Sequence, residues 1–337
     1  MKAVKYDRYG PPEVVTVIET AQPEPGDNEL LVRVHETIVT PTDVASRKGE
    51  PFAIRFFSGL TRPRAIAGSD FAGEVVTVGR AVTRFAPGDC VVGAVSAGAH
   101  AEYVCVAEDG VVTLVPAHLD YQDVAGVCDA GLTAQSFLRD IAKVQPGQTV
   151  LINGASGAVG QFGVQLAKHY GAHVTGVCSG KNLDLVRSLG ADRVIDYTQQ
   201  DFAQLGDTYD VIFDAVGKRS FGECRAALNP AGLYLTTVPT GDGLLQTALT
   251  RFGGGPRAIF AATGPGFNQA KLVSLMERME AGDVRVVVDR VYPLADIAAA
   301  HRYVESGRKT GAVVIELAPS GRGEGVMAAE DGRAAGG

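Results

Sequence analysis

The chain has 337 residues, 46% hydrophobic and 20% charged, with 31 basic against 38 acidic side chains and a net charge of −7. Such a length buries a large core and predicts two domains, while the acidic balance, with no basic cluster, argues against a nucleic-acid surface. No apolar run is long enough to span a bilayer and no charged-then-apolar leader opens the chain, so no membrane or secretory segment is expected. Cys90, Cys105, Cys128, Cys178 and Cys224 are scattered, several inside apolar runs, as expected of buried thiols in a reducing cytoplasm.

In chain order, residues 1–125 carry short alternating or apolar runs. Val14–Ile18, Glu29–His35, Gly73–Val78 and Asp89–Val95 read as strands, divided by turns at Pro23, Pro25 and Gly26 or at Pro87 and Gly88. This is a β-rich, barrel-like signature. From Asp123 the period changes, and Asp123–Ile141 predicts a helix broken near Gly131. Strand 149–154, helix 157–170, strand 173–178 and helix 181–189 follow. Next come strands at Arg193–Ile195 and Tyr209–Asp214, a helix near Phe221–Leu228 and a strand at Gly232–Val238. This alternation implies a parallel, doubly wound sheet. A strand at Arg257–Ala262, a helix at Asn268–Ala281, the segment Val284–Leu294, a helix at Ala295–Ser306 and a strand at Ala312–Leu317 complete the fold. The Gly-, Ala- and charge-rich tail beyond is expected to be disordered.

Thr149–Tyr170, TVLINGASGAVGQFGVQLAKHY, carries the clearest chemistry. Val150, Leu151 and Ile152 form a strand-like run, and Val159, Phe162 and Leu166 recur at helical spacing. Gly154, Ala155, Ser156, Gly157, Ala158, Val159 and Gly160 form the turn, with Ala155, Gly157 and Gly160 in the A-x-G-x-x-G spacing of a dinucleotide fingerprint. Such a turn delivers a pyrophosphate onto the free N–H groups and positive dipole end of a helix. The next strand, HVTGVC, ends before Ser179, Gly180, Lys181 and Asn182, with no acid where an NAD site holds the ribose 2′-hydroxyl. Ser179 and Lys181 suit a 2′-phosphate, so NADPH is expected over NADH; a solvated helix-start lysine is the alternative for Lys181.

The succession MKAVKYDRYGPPEVV, PGDNELLVRV, TPTDVASRKG, GSDFAGEV, RFAPGD, GASGAVG, LGADRVIDY, YDVIFDAVG and HRYVESGRKTGAVVIEL resembles the medium-chain dehydrogenase/reductase superfamily, in its zinc-free quinone oxidoreductase-like branch, over residues 1–317. The resemblance implies an α/β architecture, a Rossmann doubly wound parallel sheet plus a GroES-like β-barrel catalytic domain. It assigns 1–125 and 266–317 to the GroES-like domain, 126–265 to the NADPH-binding domain and 318–337 to the disordered tail. It also implies an active site in the cleft between the two, and a homodimer or homotetramer joined through the Rossmann sheets.

Zinc-dependent relatives need three converging ligands. In the first ligand segment this chain reads Val39-Thr40-Pro41-Thr42-Asp43, without a cysteine; in the usual Gly-His-Glu segment it reads Gly68-Ser69-Asp70, without the histidine. Cys128 falls next to the third position, but a lone thiol cannot make the site, and the lobe of four close cysteines is missing. No metal is expected. Without zinc to activate an alcohol, hydride addition to a quinone or to the β-carbon of an enone is the easier chemistry. The expected activity is zinc-independent, NADPH-dependent reduction of quinones or α,β-unsaturated carbonyls. The alternatives are a pathway-specific reductase of a natural-product intermediate and a non-catalytic NADPH-binding sensor or structural protein.

Many zinc-free relatives carry Asn-Pro-x-Asp where this chain has Thr40-Pro41-Thr42-Asp43; Thr40 offers one hydroxyl but cannot reproduce an amide pair. Asp43 is expected to organise this loop, with Arg47 as a candidate partner, or to cap a turn. Asp70 is a candidate proton relay, or else a buried acid satisfied by backbone and arginine. Thr40, Asp43 and Asp70 are thus the candidate catalytic residues. On the cofactor side the resemblance assigns Thr133 to the nicotinamide or its ribose-phosphate, with a helix cap as the alternative. It assigns Tyr197 to the neighbourhood of the 2′-phosphate, with burial at a strand end as the alternative, and Arg308 or Lys309 to the same phosphate. Val238 and Thr263 follow strands on the nicotinamide side. Pro51–Leu60 and Gly243–Phe252 are expected to line a pocket for a bulky hydrophobic small molecule, or to serve core and oligomer packing.

Overall fold

The computed structural model describes residues 1–63, 66–238, 241–250, 253–261 and 266–318. The chain opens with β1 (Lys2–Lys5), β2 (Thr16–Glu19), β3 (Glu29–Ile38), α1 (Pro41–Lys48), the short α2 (Arg55–Ser58), β4 (Asp70–Val78), β5 (Cys90–Ala94), β6 (Tyr103–Ala107) and β7 (Val111–Leu114). Short α3 (Tyr121–Val124) and α4 (Leu132–Gln135) lead into β8 (Thr149–Asn153), α5 (Ala158–His169), β9 (His173–Cys178), α6 (Leu183–Ser188), β10 (Arg193–Asp196), β11 (Tyr209–Asp214), α7 (Phe221–Cys224), β12 (Leu228–Thr236), α8 (Gly241–Thr250) and β13 (Arg257–Phe260). The last elements are α9 (Gln269–Glu280), β14 (Val288–Pro293), α10 (Ile297–Glu305) and β15 (Ala312–Glu316).

Two sheets carry the architecture. One runs β14-β15-β3-β4-β5-β7, with β6 also paired to β3. Because β3 has neighbours in β4, β6 and β15, it is almost wholly buried on both faces, its polar residues His35, Glu36 and Thr37 included. The other sheet is parallel, in the order β10-β9-β8-β11-β12-β13. That is the doubly wound order, with its switch point between β8 and β11, where a ligand crevice opens at the strands' carboxyl ends. Val150, Leu151 and Ile152 of β8 are fully buried, as a strand covered on both faces must be.

Several boundaries differ from the sequence reading. The strand expected from Val14 starts at Thr16, because Pro12–Val14 forms a 3-10 turn with proline at its first position. The break expected near Gly131 lies at Ala125–Gly126, where Gly126 has φ 85°. Gly131 instead sits inside a continuous helical run, where a Cβ would lie 2.5 Å from Leu275 Cδ2; close packing, not chain reversal, requires that glycine. The helix from Phe221 gives way to a 3-10 turn at Arg225–Ala227, and Leu228 already belongs to β12. Of Val284–Leu294, only Val288–Pro293 is strand. The segment before it is tied to α5 by Gln165, which donates to Arg285 O at 3.0 Å and accepts from Arg285 N at 3.0 Å. The expectation for the tail falls, beyond Ala318, outside the described residues.

Arg47 does not pair with Asp43. It is fully buried, donates to Gly10 O at 2.7 Å and meets Glu305 Oε2 at 2.5 Å, so it joins α1 to α10 across the length of the chain. A buried guanidinium needs such partners. Replacing Arg47 by Ala is expected to lower stability by about 3 kcal/mol, from lost packing and the stranded partner groups. Urea unfolding measures this, and Glu305→Gln, which keeps an acceptor, should cost less.

Candidate active site

The glycine-rich turn joins β8 to α5 at the switch point. Gly154 adopts φ 80°, and the N–H groups of Gly154 and Ala155 both donate to Val177 O, which binds the turn to β9. A Cβ at Gly160 would overlap the Gly154 carbonyl oxygen, so helix and turn touch there through backbone alone. At Gly157 a Cβ would meet nothing nearer than Gly154 O at 3.4 Å. Gly157 is the N-cap of the 12-residue α5 and supplies no side-chain cap. The first amides of α5 therefore face the crevice without an internal partner, an arrangement that fits a pyrophosphate.

The next turn is tied to this one by a residue the sequence reading passed over. Asn182 donates to Ser156 Oγ at 3.0 Å and to Ser179 Oγ at 3.3 Å, and Thr310 Oγ1 lies 3.5 Å from Asn182 Oδ1. Asn182 thus brings together the turns after β8 and β9 and the loop before β15. Lys181 and Arg308, its neighbours along those two segments, are both exposed, and neither side chain forms an ion pair among the described residues. A carboxylate near this turn, Asp196, is held by its own strand end, with Oδ1 accepting from Thr198 N at 2.9 Å and Thr198 Oγ1 at 2.8 Å. Tyr197 is 62% exposed, which rules out its burial at the strand end, and its backbone N–H donates to Cys178 O at 3.1 Å.

On the other wall, Thr40 and Asp43 form a reciprocal capping box at the start of α1. Asp43 Oδ2 accepts from Thr40 N at 2.8 Å and Thr40 Oγ1 at 2.7 Å, while Asp43 N donates back to Thr40 Oγ1 at 3.1 Å. A hydroxyl has one proton to donate, so the expectation that Thr40 offers it to a ligand gives way to capping. Asp70 is buried. Its Oδ2 accepts from the backbone N–H of Asp129 at 2.7 Å and its Oδ1 from Ser69 Oγ at 3.2 Å, so backbone satisfies it, but no arginine does. Burial first, then the Asp129 charge, push the Asp70 carboxyl well above the usual range.

Thr133 lies within the helical run that starts at Val127 and is not its cap. Val238 follows β12, its N–H donating to Thr236 Oγ1 at 3.2 Å. Thr263 lies outside the described residues. Phe52, Phe56 and Leu60 are exposed in the first apolar stretch, as are Leu244, Leu245 and Leu249 of α8 in the second.

Between the two walls lies a narrow cavity of about 20 Å³, room for roughly one water molecule. It is lined by Thr40 and Pro41, by Ala158, Gln161 and Phe162 of α5, and by Asp129 and Lys309. Cys128 is fully buried in the core behind it, its thiol pushed up by burial. Asp129, the adjacent residue, is the one that faces the cavity, and the sequence reading missed it. The available signal was a single charge inside the apolar run Val124–Leu132. Among the described residues no three His, Cys, Asp or Glu side chains cluster as a metal site would require, and no helix is long and apolar enough to cross a membrane.

Residues 26–117 match the family model described as alcohol dehydrogenase GroES-like domain, and residues 189–315 the one described as zinc-binding dehydrogenase. Over 94% of this chain and 98% of the relative, the chain is 32% identical to the chloroplastic quinone-oxidoreductase QR1 of Triphysaria versicolor. The chloroplastic NADPH-dependent alkenal/one oxidoreductase of Arabidopsis thaliana is 33% identical over 95% of this chain and 80% of its own. Among solved structures, the quinone oxidoreductase from Coxiella burnetii superposes with a TM-score of 0.85 at 29% identity, over 94% of this chain and 99% of its own. The chain belongs to the medium-chain dehydrogenase/reductase superfamily, in its zinc-free quinone oxidoreductase-like branch. It is an oxidoreductase of a nicotinamide-dependent family.

Two variants separate fold from binding in the glycine turn. Gly157→Val should fold normally yet bind dinucleotide at least about 100-fold more weakly, because its side chain enters the phosphate space. Gly160→Val should also unfold at lower denaturant. Cofactor titration and urea melts read the two effects. Asp70 gives a pH prediction. Its folded pKa is raised, so the native state binds its proton more tightly than the unfolded chain, and stability falls as pH rises above the unfolded value. Asp70→Asn should therefore be more stable than wild type at neutral pH, with the gain vanishing once the unfolded carboxyl is protonated as well; unfolding midpoints across that range test it.

Proposed function

We propose that this chain is a zinc-independent, NADPH-dependent reductase of quinones or α,β-unsaturated carbonyls. The observation that carries the reading is the uncapped N-terminus of α5, set one turn away from two unpaired cations on the Asn182-linked segments. The α5 amides bind the pyrophosphate. Ser179, Lys181 and Arg308 take the adenosine 2′-phosphate, a doubly charged group that two cations favour over a bare hydroxyl. Tyr197 flanks the same place. Asn182 holds Ser156 and Ser179 in position. When bound, the reduced nicotinamide supplies a hydride. The names of the two relatives, one a quinone oxidoreductase and one an alkenal/one oxidoreductase, support both acceptor classes. The exposed apolar side chains of Pro51–Leu60 and α8 favour a hydrophobic acceptor.

Purified, chelator-treated protein should oxidise NADPH in the presence of quinones or enones. Tight NADPH binding without turnover on any acceptor would support the sensor reading instead. The double variant Lys181→Ala/Arg308→Ala should raise KM for NADPH by about tenfold and leave KM for NADH unchanged. Equal effects on both cofactors would remove the 2′-phosphate assignment.

A further inference from the structure

Asp129 is an acidic side chain in the cleft for which cofactor binding gives no use. It lies in the wide helical turns of Val127–Gly131, a local geometry that often marks functional positions. Its backbone N–H is fixed by Asp70 Oδ2 at 2.7 Å. Asp129 lines the same cavity as Ala158 and Gln161 of α5 and Lys309, and its carboxylate accepts no hydrogen bond among the described residues. The main chain is held and the side chain is free.

We propose that Asp129 is the general acid of this site, delivering the proton that completes reduction of an enone, with Asp70 as its positioning residue. The inference rests on the reductase reading above. Hydride addition forms a C–H bond at the β-carbon, and the alkene π pair moves to give an enolate. The Asp129 O–H bond then breaks, its proton forms the C–H bond at the α-carbon, and the carboxylate left behind takes a new proton from water. The substrate gains two electrons and two hydrogens, one as hydride from the reduced nicotinamide and one from Asp129.

The surroundings suit this role. Burial pushes the Asp129 carboxyl up to about 6, the Asp43 charge adds to the rise, and Lys309 opposes it. Asp70 on β4, Asp43 on α1, the buried Cys128 thiol and Lys309 are the titratable groups around it, while α5 contributes only Ala158, Gln161 and Phe162 to the cavity. Burial pulls the Lys309 ammonium down, against the pull of Asp129 and Asp289; its Nζ donates to Gly311 O at 2.9 Å. Asp289 is itself engaged by Tyr303 OH at 2.8 Å and Thr310 N at 2.6 Å. A carboxyl near neutrality exists in both forms at working pH, as a group that gives and regains a proton must.

Asp129→Asn and Asp129→Glu test the proposal on two readouts. The first needs no turnover. The ring of oxidised nicotinamide is cationic, so it binds better beside an ionised acid; the wild-type affinity ratio of NADP+ to NADPH should rise several-fold as pH increases through about 6, and stay flat in Asp129→Asn. The second compares acceptors. Quinone oxygens take protons readily from water, whereas carbon needs a positioned donor, so the enone-to-quinone kcat ratio should fall by at least about tenfold in Asp129→Asn and recover in part in Asp129→Glu. In heavy water the wild type should place deuterium on one face of the α-carbon, and Asp129→Asn should lose that selectivity. A flat affinity ratio in the wild type, or an unchanged acceptor ratio in Asp129→Asn, overturns the acid role alone. Failure of the wild type on every acceptor overturns the reductase reading and the acid role with it.

Discussion

The cleft depends on one strand pairing. β15 returns from the far end of the chain to lie antiparallel on β3, with Ile38 opposite Val314, Thr37 opposite Ile315 and Glu36 opposite Glu316. Val39 N donates to Val313 O at 2.9 Å, which carries the ladder to the residue before the α1 cap. The same few residues therefore place the start of α1 beside the loop that holds Arg308 and Lys309. Side chains in a strand alternate, so a one-residue slip would turn that whole face away from α5. Arg47 and Glu305 fix the connection a second time, one layer out. Gln165 fixes it from the α5 side by engaging the backbone at Arg285.

Sequence periodicity made the second sheet legible almost residue by residue. His173–Cys178 and Tyr209–Asp214 are strands with the expected ends, because central parallel strands are uninterrupted apolar runs closed by turns. The reading failed where a local signal served another purpose. Gly131 looked like a helix breaker, but its missing side chain makes room for Leu275 of α9, a contact between segments far apart in sequence. For Tyr197 only the alternative reading, burial at a strand end, fails: the residue follows the edge strand β10 and is 62% exposed.

The site divided in the same way. The geometry of the glycine-rich turn was legible because it is local, a strand, a turn and a helix start within one short stretch. Asn182 and Asp129 were not, because each acts through partners on other segments: Asn182 through Ser156 and Thr310, Asp129 through Asp70 and Lys309. Asp43 and Arg47 show the converse. Their spacing on one helix invited a pairing, yet Arg47 is drawn to a carboxylate on α10 and Asp43 closes its own N-terminus.

The cap at Thr40 sets what chemistry the cleft can offer. A side-chain amide at that position could receive the Asp43 backbone N–H on its oxygen and still present N–H donors, whereas threonine has a single donor and gives it to Asp43. The remaining polar side chains of the cavity are Gln161, whose amide nitrogen donates to Ser156 O at 2.8 Å, and the pair Asp129 and Lys309. Charge at this site therefore comes from two groups that burial drives toward neutrality from opposite directions. Each opposes the other's shift, so removing one should let the other move further toward its neutral form. A cleft built this way depends on pH far more than one furnished with a neutral amide.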